Sequence, residues 1–168
     1  MRAKALGLAA LLGISALGAA QDEVTASAEE VLFIDAASQA DLYDIAAARL
    51  AVGQAESAEV VAFAEEVISE STRTTVELLP LADALGVTPT ADGSPADGIL
   101  LGELQGLTGT EFDAAYAAQQ VRALEGAVTV YTLSGGSVQD AGLAAFAERT
   151  LPVLRRQLEE ARALAGSL

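Results

Sequence analysis

Carboxylates are the one abundant reactive group in this sequence. The chain has 24 aspartate and glutamate residues against nine lysines and arginines, and it contains neither histidine nor cysteine. Histidine is the commonest general base and a frequent metal ligand, and cysteine supplies thiolates for nucleophilic attack and metal binding. The sequence therefore predicts no catalytic residue and no cofactor, which leaves carboxylate chemistry, meaning proton exchange or cation binding.

Asp41 and Asp44 are weak candidates for a metal site. With a carboxylate from another helix they would form an all-carboxylate site. The Glu56-x-x-Glu59 pair has a suitable spacing, but it lies at a predicted helix start. The alternative is that the acidic groups lie on solvated helix faces and hold hydrated cations loosely. Because metal selectivity follows ligand type and geometry, we expect no specific binding of a transition metal.

Residues 1–20 have the layout of a secretory signal peptide. A short basic start with Arg2 and Lys4 precedes an apolar run from Ala5 to Leu17, and small residues end at Ala20 before a polar segment. The apolar run is shorter than the ~20 residues that a transmembrane helix needs. We therefore expect export with cleavage after Ala20, a periplasmic location, and no membrane insertion afterwards.

The charge of the exported chain limits its partners. Cleavage would remove two basic residues, leaving seven arginines against 24 carboxylates and a formal charge of −17. Such a surface repels phosphate backbones and anionic lipid headgroups. We expect no nucleic-acid or membrane-surface partner, whereas a protein partner stays open. The sequence indicates neither that partner nor an oligomeric state.

Apolar residues recur at steps of three and four through most of the chain, which predicts helices. Ser27 and Glu30 match a capping box, which predicts the start of a helix. Residues 21–26 are expected to form a flexible leader, and Ser38 is expected to cap a second helix. Pro80 and Pro152 lie inside predicted helices and should kink them, since proline cannot donate a backbone hydrogen bond. The predicted helices span residues 28–37, 38–53, 57–85, 99–107, 110–133 and 138–165.

The connector over residues 87–98 is the one long loop expected in the chain. It contains two prolines and two Asp-Gly pairs, which are typical of turns. Asp92 and Asp97 lack the alternating ligands and closing glutamate of a calcium loop. With no predicted strand, residues 27–168 are expected to form one all-α domain, an antiparallel four-helix bundle with short extra N-terminal and connector helices.

Four motifs resemble the exported bacterial family called domain of unknown function 4142. They follow in order and spacing from about Phe33 to Leu164, and the resemblance implies a ferritin-like helical bundle. The motifs are Phe33-Ile34-Asp35-Ala36-Ala37 with Asp41-Leu42-Tyr43-Asp44-Ile45, Phe63-Ala64-Glu65-Glu66-Val67-Ile68, Phe112-Asp113-x-x-Tyr116, and Phe146-Ala147-x-x-Thr150-Leu151-Pro152-x-Leu154.

Four positions depart from the family pattern. The resemblance implies histidines where this chain has Ser71, Leu124 and Gln157, and a glutamate where it has Asp44. If the histidines form a metal or proton site in relatives, this chain lacks it; if they are buried hydrogen-bonding residues, nothing chemical is lost. We therefore expect a non-enzymatic periplasmic bundle, related to stress or protein interaction, with a divergent ferritin-like metal-carboxylate protein as the alternative.

Overall fold

The computed structural model describes residues 25–168. The expected signal peptide over residues 1–20 and the first part of the leader, residues 21–24, lie outside the described residues. Within residues 25–168 there are five helices and no strand, which confirms the all-α prediction. The helices are α1 (Ala28–Gln54), α2 (Ala58–Ala84), α3 (Pro95–Gln105), α4 (Gly109–Leu133) and α5 (Ala141–Ser167).

Four long helices form an antiparallel bundle in which α1 and α5 each pack against both α2 and α4. Ion pairs between α2 and α5 show that these two helices run in opposite directions. Arg156 pairs with Glu66, whereas Arg149, which comes earlier on α5, pairs with Glu77, which comes later on α2. The connector that carries α3 returns the chain along the bundle, and α3 packs on α1 and α4. One such long crossover is typical of ferritin-like bundles.

Helix α1 corrects the prediction of a separate short N-terminal helix. It runs unbroken from Ala28 to Gln54, and Ser38, which was expected to cap a second helix, lies half-buried in its middle. Serine signals a cap because its hydroxyl can compete for backbone groups, but tertiary packing overrides that tendency here. The buried face continues across the expected break, through Phe33, Ile34, Ala37, Asp41, Asp44, Ala48 and Ala51.

The connector loop is shorter than the predicted span of residues 87–98, because α3 begins at Pro95. The Ser94 hydroxyl accepts from the Asp97 N–H at 3.1 Å, and the Asp97 carboxylate accepts from the Ser94 N–H at 3.1 Å. This capping box, with proline at the first helical position, is a strong helix start. The second Asp-Gly pair therefore belongs to a helix.

Helix ends elsewhere match the sequence to within a few residues. Gly86 ends α2 with a φ of 68°, and the Val87 N–H donates to the Ala82 carbonyl at 2.9 Å, as in a Schellman motif. Helix α5 begins after its cap Asp140 and continues past the expected end at Gly166. Pro80 and Pro152 both lie on exposed faces inside unbroken helical segments.

Two buried carboxylates join helix ends that are distant in sequence. Glu30 accepts from the N–H groups of Gln139 and Asp140 at 3.2 and 2.8 Å. Asp113 accepts from the N–H groups of Glu56 and Ser57 at 3.1 and 2.8 Å. Each carboxylate satisfies backbone donors just before a helix, which would otherwise lack partners. The bundle is thereby closed at both ends.

The apolar core is divided into two clusters. One contains Phe63, Phe112, Tyr116 and Leu124 among small residues of α1, α2, α4 and α5, and the other contains Phe33, Tyr131 and Phe146. Polar side chains lie between them. Within residues 25–168 no helix combines the length and hydrophobicity needed to span a bilayer.

Candidate functional site

A layer of buried polar side chains crosses the middle of the bundle, between the two apolar clusters. All of its members are more than nine-tenths buried, and they come from all four long helices. We call this set the polar layer; it consists of Asp41 and Asp44 from α1, Ser71 and Thr74 from α2, Gln120 from α4, and Thr150 and Gln157 from α5.

Asp41 is held by hydroxyl groups of α2. The Thr74 hydroxyl lies 2.9 and 2.8 Å from the two Asp41 carboxyl oxygens, and the Thr75 hydroxyl lies 3.0 Å from one of them. Both hydroxyls also lie within 3.1 Å of α2 carbonyl oxygens. Because each hydroxyl has one proton, it can donate to an ionised Asp41 or to its helix carbonyl. This arrangement accommodates Asp41 in either protonation state.

Asp44 has a weaker set of partners. The Gln120 side-chain amide donates to one Asp44 oxygen at 3.4 Å, and within residues 25–168 the second oxygen receives no hydrogen bond. The Gln120 amide oxygen and the Tyr116 hydroxyl are also buried without a partner in that part of the chain. A buried carboxylate normally needs several donors, so the ionised form of Asp44 is poorly satisfied here.

Burial shifts the pKa values of both aspartates in the same direction. Loss of hydration raises the pKa of Asp41 from 3.8 to about 7, although the threonine hydroxyls oppose the shift. Loss of hydration, reinforced by the negative charge of Asp41, raises the pKa of Asp44 from 3.8 to about 7. The two carboxyls therefore exchange protons near neutral pH, unlike ordinary surface aspartates.

An enclosed cavity of about 10 Å³ lies inside the polar layer. Asp41, Asp44, Ser71 and Gln157 are among its lining residues, and the Gln157 amide nitrogen is buried without a partner in the described part of the chain. A space of this size has room for about one water molecule. This cavity can hold a proton or a single small guest, and it has no space for an organic substrate.

Two of the three positions where the family pattern has histidine meet at this cavity. Ser71 and Gln157 both line it, whereas Leu124 packs in the apolar cluster with Phe63 and Phe112. Ser71 and Gln157 are separated by two helices in sequence, so the fold brings them together. Leu124 occupies a dry position that would not contribute to a shared site with them.

The carboxylates considered for a metal site do not assemble into a full ligand set. Glu70 of α2 also lines the cavity, but its carboxylate is paired with Arg73 at 2.8 Å. Glu56 and Glu59 are exposed at the start of α2. Across residues 25–168, no group of three or more aspartate, glutamate, histidine or cysteine side chains is placed to hold a metal ion.

Thr74, Gln120 and Thr150 are polar-layer residues that the sequence did not single out as site residues. Thr150 lies on the predicted interior stripe of the last helix, and Gln120 flanks that of the third. A polar residue on an otherwise apolar stripe was the available signal, but it does not reveal which side chains meet across helices. On α2 the buried residue is Thr74, whereas the three- and four-residue periodicity of the sequence predicts its neighbour Thr75 on the buried face.

A solved structure supports the fold. The chain is similar to the crystal structure of a DUF305 fragment from Deinococcus radiodurans, with a TM-score of 0.76 and 15% sequence identity. The match covers 86% of this chain and 99% of that chain. At this identity the likeness concerns the fold alone. No curated protein sequence matches.

The sequence profile described as domain of unknown function (DUF4142) matches residues 15–164. The match includes α1 to α4 and most of α5, and therefore every member of the polar layer. It agrees with the resemblance carried by the four sequence motifs. This chain belongs to the DUF4142 family.

Proposed function

We propose that this protein is an exported, periplasmic helical bundle that binds a partner without catalysing a reaction. The observation that carries the proposal is the enclosed polar layer. Asp41 and Ser71 line a space of only about 10 Å³, which leaves no room for an organic substrate beside either of them.

The side-chain inventory supports the same proposal. The sequence has no histidine or cysteine, and no basic side chain lines the cavity beside Ser71. A serine nucleophile needs an adjacent base, and Asp41 already accepts from Thr74. The arginines that form ion pairs in residues 25–168 do so near the surface, with more than two-fifths of each side chain exposed.

Export is tested by the mass of the protein recovered from the periplasm. The proposal predicts a chain that begins at Gln21, because Ala20 ends the small-residue segment expected at a cleavage site. A recovered species that still carries residues 1–20 would contradict the expected processing. Recovery from the cytoplasm alone would contradict the proposed location.

A metal-carboxylate protein is the second candidate function. It is favoured by one observation, which is that Asp41 and Asp44 line the same enclosed cavity. Against it, the carboxylate nearest from another helix, Glu70, is engaged by Arg73. Carboxylates alone also form a poor site for iron, zinc or copper, which prefer sites with imidazole or thiolate.

Titration calorimetry with ferrous iron, zinc and manganese separates the two candidates. We expect no saturable binding at physiological salt. Stoichiometric binding with micromolar or tighter affinity that Asp44→Ala abolishes would establish the second candidate. Asp83→Ala is the matched control, since Asp83 is exposed on α2 and loses an equal charge.

A further inference from the structure

A groove of about 300 Å³ opens on the side of the bundle between α1 and α4, beside the start of α3. Small side chains form much of its wall, including Ala36 and Ala40 from α1 and Ala123 and Ala127 from α4. Its volume is at the lower end of the range for small-molecule sites. The groove shares Ala40, Asp44, Ala127 and Tyr131 with the small enclosed cavity, and it is large enough for a short organic molecule.

Asp44 connects the groove to the polar layer. Its side chain lines both the groove and the enclosed cavity, although only 5% of the residue is exposed. The Asp44 oxygen that receives no hydrogen bond from residues 25–168 can accept one from a molecule in the groove. A ligand that lies in the groove with a positively charged donor would satisfy this oxygen and offset the cost of its burial.

Two tyrosines give the groove a rigid aromatic lining. Tyr43 is fixed because its hydroxyl donates to the Gln119 amide oxygen at 2.8 Å. Tyr131 is fixed by an edge contact with Phe33 and a tilted contact with Phe146, at centroid distances of 5.1 and 6.0 Å. Aromatic rings attract cations through their π faces, and they also pack well against a hydrocarbon chain.

We propose that this groove binds a small aliphatic primary ammonium compound, with its cationic head on Asp44 and its carbon chain along the alanines and tyrosines. The proposal rests on the proposed function of a non-catalytic binding protein, and it names the chemical class of ligand. Asp97 adds a second carboxylate at the rim. The groove thus has two carboxylates against one guanidinium, that of Arg122, and with the overall negative charge of the chain this favours a cation over an anion.

The charges around Asp44 set how binding depends on pH. Since the pKa of Asp44 is raised to about 7, the carboxylate forms as pH rises, while a primary amine keeps its charge until much higher pH. Affinity should therefore increase from pH 5.5 to pH 8 and then level off. The titratable and charged groups around it are Asp41 and Tyr43 on α1, Glu70 and Arg73 on α2, Asp97 on α3, and Tyr116, Arg122 and Tyr131 on α4; α5 contributes the neutral Thr150 and Gln157.

Calorimetric titration of the purified protein with n-butylammonium chloride tests the proposal, with sodium chloride at matched ionic strength and 1-butanol as ligand controls. We expect saturable one-to-one binding of the ammonium compound alone. Asp44→Asn should weaken it roughly tenfold to a hundredfold, the range for losing a hydrogen bond to a charged group, and should remove the pH dependence. The exposed-carboxylate control Asp83→Asn should change neither.

A second variant tests the groove without altering Asp44. Gly126 lines the groove, and a Cβ added there meets no atom within 4 Å. Gly126→Leu should therefore fold normally, fill part of the groove and weaken n-butylammonium binding at least tenfold. The proposal would be overturned if 1-butanol bound as well as n-butylammonium, or if Asp83→Asn weakened binding as much as Asp44→Asn. It would also be overturned if neither Asp44→Asn nor Gly126→Leu changed binding. If neither n-butylammonium nor the metal ions bind, the ligand proposed for the groove is wrong but the proposed function is unaffected. Saturable metal binding would instead contradict the proposed function.

Discussion

Replacement of Asp44 by asparagine is expected to stabilise the protein at alkaline pH. Asparagine keeps the shape of the side chain but cannot ionise, so it resembles the neutral acid that burial favours. The pKa of Asp44 is raised from 3.8 to about 7, and a shift of about three pKa units corresponds to ~4 kcal/mol at pH values above both. Relaxation and water entry reduce this penalty, so we expect Asp44→Asn to raise the free energy of unfolding at pH 8 by about 2–4 kcal/mol.

The sign of the effect follows from proton uptake. Between about pH 4 and pH 7 the folded protein holds a proton on Asp44 that the unfolded chain releases, so the free energy of unfolding falls as pH rises. Asp41 contributes in the same direction. Glu30 has a lowered pKa because backbone N–H groups donate to its carboxylate. The stability that ionised Glu30 contributes is therefore lost only below 4.5, the pKa of the group in the unfolded chain.

Urea unfolding followed by circular dichroism at pH 4, 6 and 8 measures the effect. The wild-type protein should lose stability from pH 4 to pH 7 and then level off. Asp44→Asn should reduce that slope by up to ~1.4 kcal/mol per pH unit, and the exposed control Asp83→Asn should leave it unchanged. An Asp44→Asn protein that is destabilised at pH 8, or that keeps the wild-type slope, would refute the argument from burial.

Four further substitutions test the core and the helices. Leu124→Ala should lower the free energy of unfolding by about 2–5 kcal/mol, because Leu124 is 1% exposed; a loss under 1 kcal/mol in urea unfolding would contradict its place in the dry core. Tyr116→Phe should leave stability unchanged or raise it by about 1 kcal/mol, since the hydroxyl is buried without a partner in residues 25–168; a clear loss would reveal a bound water. Pro80→Ala and Pro152→Ala restore a backbone donor on exposed helix faces, so thermal unfolding should be unchanged or occur at a higher temperature, and a marked drop would show that packing needs the kinks.

The sequence predicted the bundle well because its signals act within one helix. The capping box at Ser27 and the glycine stop at Gly86 depend on neighbouring residues, and the apolar stripes depend on helical periodicity. The helix break expected at Ser38 was wrong because packing along α1 outweighs a local cap. The start of α3 at Pro95 was missed because the Asp-Gly pair was interpreted as a turn, although Ser94 and Asp97 form a capping box.

The polar layer was predictable in part. Asp41, Asp44, Ser71 and Gln157 were named from the sequence, and the structure places all four at one cavity. Their hydrogen-bond partners could not be named, because a contact such as Asp41 with Thr74 depends on how far two helices slide past each other. Sequence periodicity fixes which face is buried, but not this relative position.

The Glu30 contact has a consequence for the order in which the chain folds. Glu30 lies in the first turn of α1, yet its carboxylate accepts N–H groups that precede α5, 109 and 110 residues later. A contact of such long sequence separation forms late, because the intervening chain must first be ordered. Helices α1 and α2 can pair as soon as both exist, but this end of the bundle closes after the last helix arrives. During synthesis, this end of the bundle therefore stays open until the final 30 or so residues, which form α5, can dock.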